Sequence, residues 1–270
     1  MKIDVSYESS TDLAPAGFKA AVAYVVNLYD ALFTNPVTID LHVGWGEIHG
    51  GPLINGDIGR SEISQAPAYS YSEIRNALTN DAASSGNLEL SEAVASLPTA
   101  DPTNGGNFDI GTGGAEALGL MSPATPAVAW VGFASNINWS FDPSVTPAAN
   151  TTHIVGIIEH EISETMGRYA WGGTTVDYAN AFTALDLFRY AAAGVRVLAP
   201  YHGSATAYFS LDGGASNLGN WNNRLNNGDL ADWYPQGPAE RIPSTITAIP
   251  GSATSSPPAI SPSWRRWDGP

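Results

Sequence analysis

Residues 154 to 168 form an apolar run interrupted by charge: Ile154-Val155-Gly156-Ile157-Ile158-Glu159-His160-Glu161-Ile162-Ser163-Glu164-Thr165-Met166-Gly167-Arg168. The spacing predicts a helix over about 152–168, with Ile154, Ile157 and Ile158 burying one side, Thr151 or Thr152 as N-cap and Gly167 as the stop. Charged groups on a buried helix need partners, and a cation supplies one. His160 and Glu164 lie four residues apart, so they project from one face, one turn apart, and can grip a single ion. Glu161 sits beside them. The core H-E-x-x-E is one residue type away from H-E-x-x-H, in which two histidines hold zinc and the glutamate activates water.

The rest of the chain reads as mixed α and β. Phe18, Ala21, Val25, Leu28 and Leu32 make an apolar stripe over 14–33, a helix ended by Asn35-Pro36. Over 37–45, Val37, Ile39, Leu41, Val43 and Trp45 face one way and Thr38, Asp40 and His42 the other, as in a half-buried strand. The glycine-rich stretch 44–60 reads as loop. Ser70 and Glu73 form a capping box opening a helix with Ile74, Ala77 and Leu78, and a second short helix starts near Ser91. Residues 127–133 make a buried strand, 184–190 a helix, and 207–214 a strand entering a turn. After about 235 the chain changes character: eight of the nineteen prolines lie in 235–270. Such a tail builds little core and is expected to be extended. The expected division is therefore 1–170 with the motif helix, 171–234, and the tail 235–270.

Composition narrows the function classes. In 270 residues acids outnumber Lys and Arg by 26 to 11, for a net charge of -15. Such a surface repels nucleic acid and anionic membranes. It suits calcium sites as well as plain solubility. There is no cysteine, which excludes disulfides, thiolate metal sites and a cysteine nucleophile. No stretch has the length of a membrane span, so no membrane insertion is expected. The N-terminus lacks the apolar run of an ordinary signal peptide. Secretion by a route without such a signal, or after its removal, is the expectation, with a cytoplasmic location left open.

Taken in order, the motifs resemble those of a group of bacterial zincin-type metalloproteases. The likeness runs from about residue 3 to residue 233. It passes through Gly44-Trp45-Gly46-Glu47, Tyr71-Ser72-Glu73-Ile74, Val131-Gly132-Phe133 and Glu159 to Arg168. It continues through Asp186 to Tyr190, Gly194-Val195-Arg196, Tyr208 to Gly214, and Gly228-Asp229 with Asp232-Trp233. The resemblance implies an α+β, zincin-like fold, related to metzincins and gluzincins, with an active-site helix and a mixed sheet. It also implies a hydrolase acting on protein or peptide. The end departs from the pattern: a further apolar segment containing an Asp is expected there, and a proline-rich tail ending Trp264-Arg265-Arg266-Trp267 stands in its place.

The ligand set is unusual. Zinc in proteases takes two histidines and one further ligand. Here Glu164 replaces the second histidine, and this harder set widens the choice to Mn²⁺, Ca²⁺ or Mg²⁺. Zinc stays first because of the motif. The extended metzincin pattern places its third ligand at Ala170, which cannot coordinate, and no Met follows Met166 to form a Met-turn. A gluzincin-like arrangement takes a carboxylate from a following helix. Asp186, twenty-two residues past Glu164, suits that role. Its bland reading, equally weighted, is a helix N-terminal carboxylate or a partner of Arg189. Asp177 and His202 are weaker candidates. His153 reads as a polar residue near a helix N-terminus more than as a supporting group. Tyr169, Tyr178 and Tyr190 offer hydroxyls for a developing oxyanion, or simply pack. Asp212-Gly213-Gly214, and Asp229 with Asp232, suit calcium, though an ordinary Asp-Gly turn is the better reading.

The sequence thus points to metal-dependent peptide hydrolysis, with His160, Glu164 and Asp186 as ligands and Glu161 as general base. Two rivals stand beside it. One is a calcium-dependent binding or surface protein with a degenerate motif. The other is a metal-free glycan hydrolase using Glu159, Glu161 and Glu164, whose spacing on one helix is too tight to flank a sugar.

Overall fold

The computed structural model describes residues 1–54, 56–123, 126–145, 147–173, 180–199, 207–222 and 229–233. The expected tail 235–270 lies outside them, as do Asp177, Tyr178, His202 and Gly228. The fold is α+β. The chain divides into two compact units, the first made of Met1–Ser64 and Pro123–Met166, the second of Gln65–Ser122 and the described residues from Gly167 onward. The chain passes from the first unit to the second after Ser64 and again after Met166.

In the first unit, strands β1 (Lys2–Tyr7), β2 (Thr38–Trp45), β3 (Gly59–Ile63) and β4 (Ala127–Phe133) form one mixed sheet in the order β1-β2-β4-β3. The β1–β2 and β2–β4 pairs are parallel, and β3 runs antiparallel along the edge of β4. The alternation read in 37–45 sets the pleat: Ile39, Leu41 and Val43 are buried, as are their neighbours Ala129 and Val131. Helix α1 (Phe18–Leu32) and helix α2 (Ile154–Thr165) pack with this sheet. Phe18 is fully buried, 4.8 Å from Trp45 and 5.7 Å from Phe133 between ring centroids. The Tyr29 hydroxyl donates to the carbonyl of Glu159 at 2.9 Å and ties the two helices together.

The Gly44-Trp45-Gly46-Glu47 motif has a steric meaning. Gly44 and Gly132 are cross-strand partners, and a Cβ on either would lie 2.3 Å from the Glu47 carbonyl oxygen. The two glycines let the hairpin Glu47–Ile48/Gly51–Pro52 cross close over the sheet. The Glu47 carboxylate anchors it, accepting from Ser10 Oγ and the Gly50 N–H, each at 2.8 Å.

The second unit combines helices Tyr71–Ser85 and Leu88–Ser96 with a small antiparallel sheet. That sheet has the order Val195–Arg196, Arg189–Ala192, Tyr208–Phe209, Gly219–Asn220. Its core includes Phe108, Phe182, Leu187, Phe209 and Trp221. The capping box at Ser70 and Glu73 forms in both directions. The short helix expected at Ser91 begins at Leu88, because Asn87 caps it by accepting from the Leu90 N–H at 3.0 Å. The expected helix at 184–190 is a 3-10 turn, Ala184–Phe188, that leads straight into a strand. No described helix is long and apolar enough to cross a membrane.

Candidate metal centre

Helix α2 starts later than its sequence suggested. Thr152 and His153 pair in parallel with Trp139 and Ser140, and the Thr152 N–H is taken by the Asn138 carbonyl at 2.8 Å. His153 therefore occupies the N-cap position, its Nε2 3.1 Å from the Asp142 carbonyl oxygen. At the other end Gly167 adopts φ 111°, a left-handed value that suits glycine, and the helix stops there as expected.

The motif side chains are arranged by this helix and by β3. His160 Nε2 lies 3.2 Å from Glu164 Oε1. The side chain of Glu164 is 9% exposed and that of His160 35%, so the pair reaches from the core to the surface. The other carboxylate oxygen, Oε2, accepts a hydrogen bond from Ser61 Oγ on β3 at 2.7 Å. Glu161 is buried under the start of β3: a Cβ on Gly59 would lie 2.4 Å from Glu161 Oε1 and 2.7 Å from Ile157 Cγ2. Burial pushes Glu159, the preceding acid, up to about 7. Its carbonyl holds the Tyr29 hydroxyl already described.

A test of fit follows from these distances. Two donors at about 2.1 Å from one tetrahedral ion are separated by roughly 3.4 Å. The observed 3.2 Å between His160 Nε2 and Glu164 Oε1 suits two ligands of a common ion. It equally suits an i,i+4 hydrogen bond. The Ser61 contact distinguishes Glu164 from a solvated surface acid, since a supporting donor fixes the carboxylate's orientation, as outer partners of metal ligands do.

β3 shapes the approach to these groups. The Ala134 N–H donates to the Ile58 carbonyl and the Ser64 N–H to the Val128 carbonyl, which fixes the ladder's phase. With Arg60 opposite Gly132 and Glu62 opposite Trp130, the residues facing β4 are Ile58, Arg60, Glu62 and Ser64. The backbone groups of Gly59, Ser61 and Ile63 then point away from the sheet. Among the described residues no strand pairs with this edge.

Asp186 has a different setting in the second unit. It is fully buried, and its carboxylate accepts from the backbone N–H groups of Trp171 (3.0 Å), Gly172 (3.0 Å) and Thr183 (2.8 Å). Arg189 Nη1 lies 3.7 Å away. These are the contacts of a buried loop anchor beside Arg189. Tyr169 is likewise tied into its surroundings. Its hydroxyl accepts from the Gly111 N–H at 2.8 Å, and burial, foremost among several causes, pushes its pKa up. The Tyr190 hydroxyl accepts from Arg196. Ala170, at the metzincin third-ligand position, is buried. Asp212 Oδ1 accepts from Ser210 Oγ at 2.6 Å and the Ser216 N–H at 2.8 Å, which makes the Asp-Gly-Gly turn self-satisfied. Asp232 accepts from the Asp229 N–H at 2.7 Å and lies 3.6 Å from Arg168 Nη1, whose neighbouring bond goes to the Ala231 carbonyl.

Sequence reasoning missed Ser61 and Gly59. Both fall in a stretch read as loop, or just beyond it, and only the edge strand brings them over the motif helix. The signal available was the short segment Gly59-Arg60-Ser61-Glu62-Ile63, too polar to stand out as a strand. No family model, curated protein or solved structure matches the chain.

Proposed function

We propose that the protein is a metal-dependent peptide hydrolase with a zincin-like active centre on α2. His160 and Glu164 hold a divalent ion, zinc in first place, and Glu161 is the general base. The observation that carries the reading is the convergence of His160 Nε2 and Glu164 Oε1 at 3.2 Å, with Glu161 buried beside them. Asp186 is left to its loop, because three backbone N–H groups and Arg189 already occupy it. The remaining coordination positions fall to other donors and to water.

A divalent ion held there supplies Lewis-acid polarisation of the scissile carbonyl and acidifies water. The chain's own groups do the rest. Glu161 takes the proton of the attacking water and delivers it to the leaving amine. Its buried position beside His160 and Glu164 keeps the carboxylate next to the ion they would hold. Ser61 holds Glu164 in place. The outward backbone groups of Gly59, Ser61 and Ile63 suit an extended peptide, which adds as a strand through main-chain hydrogen bonds. That geometry favours a protein or peptide substrate over a glycan.

The test is Glu161→Gln. The variant keeps its metal and melting behaviour and loses hydrolysis of a general protein substrate, a fall of a hundredfold or more. Retention of more than a few per cent of the activity removes Glu161 from the role of base.

A further inference from the structure

The second unit contains a cavity of about 290 Å³ that has no part in the proposed hydrolysis. It opens beside the first turns of helix Tyr71–Ser85 and is lined by Ser72, Arg75, Asn76, Thr99 and Asp101, with Tyr71 as a wall. The Tyr71 ring is buried, and its hydroxyl donates to the Pro98 carbonyl at 2.5 Å, so this wall is fixed.

Arg75 is the unusual member. Its Nε is buried and has no hydrogen-bond partner. No carboxylate within ion-pair distance and no carbonyl serves its guanidinium among the described residues. Every other described Lys or Arg has such a partner: Lys2 with Asp4, Lys19 with Asp12, Arg60 with Asp57, Arg168 with Asp232, Arg189 with Asp186, and Arg196 with the Leu187 carbonyl. In a chain with a net charge of -15, acids are abundant, yet none has been placed on this cation. A buried donor left unsatisfied is costly, and more so when it is charged. A ligand carboxylate at the cavity wall gives this guanidinium the counter-charge that no described acid supplies.

Asp101 is the opposing charge. Partial burial pushes it up, but hydrogen bonds from Thr103 Oγ1 and N–H and from the Gly105 N–H outweigh this and hold it below the usual carboxylate range. Oδ1 accepts the two Thr103 bonds and Oδ2 only one, from Gly105, so Oδ2 keeps acceptor capacity. The cavity thus offers a guanidinium fork, a fixed carboxylate and the polar ends of Ser72, Asn76 and Thr99, in a space of amino-acid size.

We propose that this cavity is a binding site for a small zwitterion of the α-amino-acid class, whose carboxylate pairs with Arg75 and whose ammonium is accepted by Asp101. A planar guanidinium matches a carboxylate through two parallel N–H···O bonds, which a simple cation does not reproduce. A purely anionic ligand leaves Asp101 as a repulsive neighbour, and this excludes phosphate in favour of a group carrying both charges.

Calorimetric titration of the full chain with L-alanine, acetate and inorganic phosphate tests the site. L-Alanine binds with one-to-one stoichiometry, acetate more weakly, and phosphate not measurably. Arg75→Gln weakens L-alanine at least tenfold, and Arg75→Lys, which keeps the charge and loses the fork, weakens it as well. Asp101→Asn weakens L-alanine and leaves acetate unchanged or tighter. Circular dichroism and melting curves establish that each variant is folded. The proposal is overturned by the absence of saturable L-alanine binding to the wild-type protein. It is equally overturned by unchanged affinity in a folded Arg75 variant, or by phosphate binding in preference to L-alanine.

Discussion

Ser61 Oγ donates to Glu164 Oε2 at 2.7 Å, across 103 positions of sequence, and this bond joins the edge strand to the motif helix. It turns Glu164 from a helix-surface acid into an oriented, nearly buried carboxylate whose other oxygen faces His160 Nε2. Ser61→Ala removes the donor and leaves the carboxylate short of a hydrogen bond. Loss of an outer partner typically weakens metal affinity by about 10–100-fold. Competition with a chromophoric chelator reads that change, and Ser61→Thr, which keeps the hydroxyl, restores most of the affinity. Equal affinity in wild type and Ser61→Ala removes the supporting role of this bond.

Gly59 sits where Glu161 needs room. A Cβ there meets Glu161 Oε1 at 2.4 Å and Ile157 Cγ2 at 2.7 Å, closer than side chains pack. Gly59→Ala therefore displaces the proposed base while leaving His160 and Glu164 in place. Hydrolysis falls at least tenfold with metal content unchanged, and stability drops by about 1–3 kcal/mol. Full activity in this variant contradicts the placement of the base under β3.

Asp186 separates two roles with one substitution. As a loop anchor it holds three backbone N–H groups and faces Arg189, so Asp186→Asn disturbs a buried pair. Breaking such a pair costs about 3–5 kcal/mol. Denaturant unfolding shows that loss, and the folded variant retains its metal. Loss of metal with unchanged stability makes Asp186 a ligand instead.

The Asp212 turn gives a pH signature. Burial pushes Asp212 up, but hydrogen bonds from Ser210 and Ser216 outweigh it and bring it to about 2. Its folded value is depressed, so its stabilisation is fully present above its unfolded value of about 3.9 and is lost as pH falls toward the folded value. The melting difference between wild type and Asp212→Asn is constant above about pH 4 and shrinks between about pH 4 and pH 2. A difference that grows in that window contradicts the assignment.

The period-two pattern of Ile39, Leu41 and Val43 specified a strand because one face is buried. The Ser70–Glu73 box specified a helix start because its chemistry is local. Strand β3 was illegible. An edge strand satisfies only half its backbone partners, and this one leaves Arg60 and Glu62 half-buried, so it carries no run of apolar residues. Thr152 read as an N-cap by residue type, yet its backbone is engaged by Asn138, a partner that no local window contains. The motif side chains were legible because i,i+4 geometry is set by the helix alone. The bond that orients Glu164 was not, because Ser61 reaches it through the fold. Asp186 shows the same limit: its spacing from Glu164 is read along the chain, whereas the N–H groups that meet its oxygens come from the turn at Trp171 and Gly172.

The most direct measurement is the metal content of purified wild-type protein, His160→Ala and Glu164→Ala after dialysis against a weak chelator, read by elemental analysis. The account predicts close to one zinc per wild-type chain and near-complete loss in both variants, with each variant still folded by circular dichroism. Glu164→His regains zinc through the familiar pair of histidines. Wild-type metal retention in Glu164→Ala, or a wild-type protein that holds calcium alone or no metal, contradicts the central claim.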